Sequence, residues 1–126
     1  MSLFHAVVWM DHQQAQVLQF DAESVQAQRV KAHSHHPRHH GTDTRALHVF
    51  FEQLVGALNG VQEVLLVGPA GAPEEFKTWV AHHQAALLPR LVGTEPADHP
   101  TEAQLVALAR RYFLKYDRMA GTPTPM

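Results

Sequence analysis

The chain has 126 residues, of which 45% are hydrophobic and 17% charged, enough apolar material for the core of one domain. Its formal charge is −2 with histidine neutral, but eleven histidines let it become strongly cationic when they protonate. There is no cysteine, which excludes disulfides, thiolate nucleophiles and Cys-ligated zinc.

The opening "MSLFHAVVWMD" lacks the basic stretch and small-residue cleavage site of a signal peptide. No apolar run approaches the ~18 residues of a membrane span. A cytoplasmic protein with no membrane partner is expected.

"HAVVWMD" is short, apolar and rich in β-branched and aromatic residues, and reads as a strand. "AQVLQFD" reads as a second strand, joined to the first by a hairpin over Asp11 to Gln14. "SVQAQRVKAH" alternates, with Val25, Ala27 and Arg29 on one face and Gln26, Gln28 and Val30 on the other, so a half-exposed third strand is expected. Residues 31–43, "KAHSHHPRHHGTD", then leave the end of this meander with five histidines in eight positions.

In "TDTRALHVFFEQLVGALNG", Leu47, Phe50, Phe51, Leu54 and Leu58 recur at helical spacing. Thr42 or Asp43 can cap that helix, and Asn59-Gly60 can stop it. "VQEVLLVG" is continuously apolar from Val64 to Val67, the pattern of a central strand covered on both faces. "GPAGAPEEFKTWVAHHQAALLPR" predicts a Gly-containing turn, then a helix with Pro73 in its first turn and Phe76, Trp79, Val80, His83 and Leu87 on one face. "RLVGTE" reads as a fifth strand. "HPTEAQLVALARRYFLKYD" reads as a last helix with Leu105, Leu108, Ala109, Tyr112, Phe113 and Tyr116 inward, and Thr101 and Gln104 at capping-box spacing. The Pro- and Thr-rich end suggests a domain over residues 1–118 and a flexible tail over 119–126. The order β-β-β-α-β-α-β-α predicts a single-domain α/β fold, a ribonuclease-H-like mixed sheet with helices on its faces.

The histidine-rich stretch supports more than one chemistry. His35, His36, His39 and His40, with water, could bind Zn²⁺ or Ni²⁺ as a metal-binding or metal-dependent hydrolytic site. Pro37 argues against the helix that would align His35 with His39 and His36 with His40, and the spacing matches no defined zinc motif. Alternatively, His33, His35, His36, His39 and His40 can stack on bases and gain charge beside phosphates, while Arg38 forks onto phosphate oxygens. A third possibility is a pH-sensitive homo-oligomer with this stretch at its interface. Asp11, at the end of the first strand, is placed like a nuclease carboxylate, with Glu52 and Asp98 as candidate helpers. The fourth strand nevertheless ends in Gly68-Pro69 where a second acid is needed, and a turn-shaping Asp11 is the simpler expectation.

Four segments, in order, resemble a known family. These are "VVWMDHQQAQVLQF", "VKAHSHHPRHHG", "VLLVGPAGAPEEFKTWV" and "LPRLVGTEPADHPTEAQLVALARRYF". They are similar to the opening hairpin, the basic loop, the apolar strand with its Gly turn, and the last strand and helix of the central domain of archaeal and eukaryotic peptide-chain release factors and of the pelota ribosome-rescue proteins. The chain also resembles small stand-alone bacterial members, known as translational machinery proteins. The resemblance covers residues 5–116. It implies a translation-associated module that contacts the ribosome or RNA through His33, His35, His36, Arg38, His39 and His40. Release factors carry Gly-Gly-Gln in that loop, whereas this chain has Gly41 alone and no Gln there. Peptide release is therefore not implied, and a non-catalytic role without a cofactor is the expectation.

Overall fold

The computed structural model describes residues 4–21, 23–32, 44–69 and 71–120. The predicted elements are found in the predicted order. They are β1 (His5–Met10), β2 (Gln14–Phe20), β3 (Val25–Lys31), α1 (Thr44–Ala57), β4 (Glu63–Gly68), α2 (Ala72–His83), a 3-10 helix (Ala85–Arg90), β5 (Leu91–Pro96) and α3 (Glu102–Ala120). The five strands form one open mixed sheet in the order β3-β2-β1-β4-β5. The first three strands pair antiparallel, and β4 and β5 extend the sheet in parallel from β1. The domain is thus a single α/β unit.

Both central strands are buried along their whole length, as the unbroken apolar run of β4 requires. Their side chains alternate between two cores. Ala6, Val8, Val64 and Leu66 pack with Phe50, Phe51 and Leu54 of α1 and with Phe76 and Val80 of α2. Val7, Trp9, Leu65 and Val67 pack with Leu105, Ala109 and Phe113 of α3. The second core also holds a polar pair. His5 is fully buried, its ring centroid 4.4 Å from that of Phe113, and its Nε2 lies 3.0 Å from Glu63 Oε1.

Local signals act as their chemistry dictates. Thr101 Oγ1 accepts the Gln104 N–H at 3.1 Å and Gln104 Oε1 accepts the Thr101 N–H at 2.9 Å, a reciprocal capping box. Gly60 ends the α1 turn at φ 87°, a left-handed conformation that glycine adopts without steric cost. The candidate caps Thr42 and Asp43 lie outside the described residues.

Three expectations need correction. The helix predicted to run through Leu87 breaks at Gln84 and continues as the 3-10 helix. Pro89 explains this, since it has no N–H to donate and its ring would strike the carbonyl of Ala85 in an α-helix. β3 is more exposed than its alternation suggests, with Val30 alone buried, because it is the sheet edge. His83, placed by its spacing on the apolar face of α2, is instead exposed, stacked on Trp79 at 4.7 Å.

Candidate functional site

The β1–β2 hairpin sets one end of the domain. The Asp11 carboxylate accepts N–H groups from Gln13 at 2.8 Å and Gln14 at 2.9 Å, and the Asp11 N–H donates to the Gln14 carbonyl at 3.0 Å. An Asx turn of this kind lets the short side chain fix the reversal. The Ala32 N–H donates to the Gln13 carbonyl at 2.7 Å, so the chain leaves β3 beside this turn.

Helix α1 starts at the same end and runs away from it. Its last turn closes beside the start of β1, where the Gln62 and Glu63 N–H groups both donate to the Phe4 carbonyl. Fourteen residues of helix at about 1.5 Å each, roughly 21 Å, match the length of the neighbouring strands, so Thr44 stands at the hairpin end. Both attachment points of residues 33–43 therefore lie at the carboxyl ends of β1 and β4. Lys31 and Arg45, both exposed, bracket the segment. Arg29 and Lys31 also line a groove of about 610 Å³ between β3 and α1, with Gln28, Gln53 and Gly56.

The candidate contact residues His33, His35, His36, Arg38, His39 and His40 lie outside the described residues, as do all four candidate metal ligands. Among the described residues, no three His, Asp or Glu side chains converge on a point that could hold a metal ion. Two of the nuclease candidates are engaged elsewhere. Asp11 shapes its turn, and Glu52 Oε1 lies 2.8 Å from His48 Nε2 one helical turn away. Asp98 is tied by its backbone, its carbonyl accepting the Trp9 indole N–H at 2.6 Å.

The glycine turn before α2 is bordered by carboxylates. Gly68, Gly71, Glu74 and Asp98 share a cavity of about 610 Å³, and Glu75 pairs with His12 at the tip of the hairpin. Negative side chains at a helix N-terminus satisfy its positive end, so this turn is a poor anion receptor. A second surface joins α1 to α2. Trp79 Nε1–H donates to His48 Nδ1 at 3.1 Å, and His83 Nδ1–H donates to the Trp79 carbonyl at 3.0 Å. Of the basic residues on α3, Arg110 has a structural role. Its guanidinium donates to the Asp21 carbonyl at 2.9 Å and lies 5.7 Å from the Phe20 ring centroid. Two backbone N–H groups, from Glu23 and Ser24, together with the nearby Arg110 charge, hold the Asp21 carboxyl below the usual carboxylate range.

Sequence reasoning missed Lys31 and Arg45 as part of this end. Their signal is positional, one on each flank of the histidines, and becomes visible only when both flanks reach the same end of the sheet.

No protein-family model matches the chain, and no curated protein matches it. Solved structures do. Pelota from Thermoplasma acidophilum is 20% identical, with 90% of this chain and 32% of that chain covered and a TM-score of 0.62. Pelota from Archaeoglobus fulgidus is 10% identical, with 93% and 35% covered and a TM-score of 0.67. An archaeal translation termination factor is 14% identical, with 93% and 41% covered and a TM-score of 0.54. The chain spans about a third of the two Pelota chains. At these identities the likeness is one of fold. The chain has the fold found in a segment of Pelota proteins and of an archaeal translation termination factor.

Proposed function

We propose that the chain is a non-catalytic, translation-associated module of the cytoplasm that contacts the ribosome or RNA through His33, His35, His36, Arg38, His39 and His40. The observation that carries this reading is a combination. A fold shared with Pelota and with a translation termination factor has its histidine-rich segment attached between two exposed cations, Lys31 and Arg45, at one end of the sheet.

The chemistry fits a phosphate backbone with unstacked bases. Arginine presents a planar fork to phosphate oxygens, and imidazole rings stack on bases and are more readily protonated beside an anion. The segment holds one glycine and no glutamine, so it lacks the Gly-Gly-Gln of release factors, and the reading is one of binding without peptide release.

Sedimentation of the untagged protein through a gradient of cell lysate tests the reading. It should travel with ribosomal particles at low salt and leave them at high salt, as counterion release dictates. Protein that stays at the top of both gradients and carries stoichiometric zinc or nickel would overturn it in favour of the metal reading of His35, His36, His39 and His40.

A further inference from the structure

The two edges of the sheet differ. β5 ends in Pro96 and shifts register against β4 between Val64 and Leu65, both devices that blunt an edge against added strands. β3 has neither. Its seven residues pair with β2 in unbroken register, it contains no proline, and six of the seven are exposed.

The parity of the β2–β3 ladder tells which backbone groups of β3 face outward. The Asp21 N–H donates to the Ser24 carbonyl, and the Ala32 N–H donates to the Gln13 carbonyl. Bonded pairs alternate along an antiparallel ladder, so Gln26, Gln28 and Val30 bond inward. Val25, Ala27, Arg29 and Lys31 turn their N–H and C=O groups to solvent. Open grooves flank this edge on both faces. Val25 and Ala27 line one of about 520 Å³ with Glu102, Val106 and Arg110 of α3, and Gln28 and Val30 line the groove against α1.

We propose that β3 pairs antiparallel with β3 of a second copy of this chain, across a two-fold axis at Gln28, to make one continuous sheet. This goes beyond the translation reading and does not depend on it. Full pairing of the strand selects the register, and charge is compatible with it. Pairing centred on Gln28 sets Lys31 of the second copy opposite Val25, and Arg29 of the second copy opposite Ala27. Lys31 of the second copy then arrives at the end of β3 where Glu23 stands. Centring the axis on Arg29 or Val30 would instead set Arg29 against Arg29 or against Lys31, like charges face to face. The outward-bonding residues also match one another in the Gln28 register, Val25 with Lys31 and Ala27 with Arg29, so all seven residues of each strand pair.

The chain has no cysteine, which makes the axis directly testable. At a two-fold centred on Gln28, the two Gln28 residues form a non-hydrogen-bonded pair with Cα atoms about 4.5 Å apart, within disulfide reach. The two Gln26 residues are four positions out of register, about 13 Å apart. Under mild oxidation Gln28→Cys should cross-link to a covalent dimer and Gln26→Cys should not. Light scattering of the unmodified protein should give twice the 14.1 kDa chain mass. The pair Arg29→Glu with Lys31→Glu should give the single-chain mass, and so should Glu23→Lys. An equimolar mixture of these two variants should restore the doubled mass, with circular dichroism unchanged throughout. A single-chain mass for the unmodified protein at high concentration, or equal cross-linking at Gln26 and Gln28, would overturn the proposal. A dimer indifferent to these charge reversals would also do so, by assigning association to another surface.

Discussion

Replacing Gly68 by alanine puts a methyl group where β1 and β4 leave no space. A Cβ at that position would lie 2.0 Å from the Met10 carbonyl oxygen, 3.1 Å from its carbon and 3.4 Å from its nitrogen. Carbon and oxygen in ordinary contact stand about 3.3 Å apart, so the overlap is more than an ångström. The obstructing atoms are backbone, held in the centre of the sheet, and cannot rotate away. Overpacking a core costs about 1–3 kcal/mol, and an immovable neighbour puts Gly68→Ala at about 3 kcal/mol. For a domain of this size that is a fall in Tm of roughly 12 °C. Gly56 in α1 is the control, because a Cβ there meets nothing within 4 Å. Gly56→Ala should stabilise by up to about 1 kcal/mol, the helix-propensity difference. Urea unfolding of the three proteins, with slopes compared to confirm two-state behaviour, measures both changes. If Gly68→Ala falls within about 0.5 kcal/mol of the unmodified protein, the close approach of β1 and β4 at this end is wrong.

Thr101→Ala should cost about 1 kcal/mol by removing one arm of the capping box, measured by the same unfolding assay. Asp21→Asn should lower Tm at neutral pH. A carboxyl whose folded pKa is depressed contributes stability above its unfolded pKa and loses it as pH falls through the folded value, so the gap between the two proteins should close in acid; a gap of constant size from pH 7 to pH 2 would contradict the assignment. The protein should release no peptide from programmed ribosomes, having no Gly-Gly-Gln. It should also show no Mg²⁺-dependent nuclease activity that Asp11→Asn abolishes, because that carboxylate is committed to its turn.

Features written into contiguous residues were legible before the structure. The "VLLV" run announced a strand covered on both faces, Thr101 and Gln104 announced their cap, and Asn59-Gly60 announced the end of a helix. Features set by position in the sheet were not. Nothing within β3 says that it is an edge, and its exposure follows from the order of the strands. The His5–Glu63 pair joins residues 58 positions apart, and Glu63 begins a strand whose partner only topology supplies. The break at Gln84 could have been read from Pro89, but apolar spacing through Leu87 masked it. At the candidate site, the density of histidines was evident at once. Its placement between Lys31 and Arg45 at the end that also carries Asp11 required the direction of α1.

Anisotropy titration of ribosomal RNA, across pH and salt with chelator present to exclude metal bridging, tests the central claim most directly. Unperturbed histidine titrates near 6.5, so affinity should rise as pH falls from about 7.5 to about 6 and should weaken with salt. Replacing His35, His36, His39 and His40 by serine should remove most of the pH dependence, while Arg38→Ala should mainly lower affinity. Binding that ignores pH, or that is unchanged by the four serines, would contradict the assignment of residues 33–40 as the RNA contact.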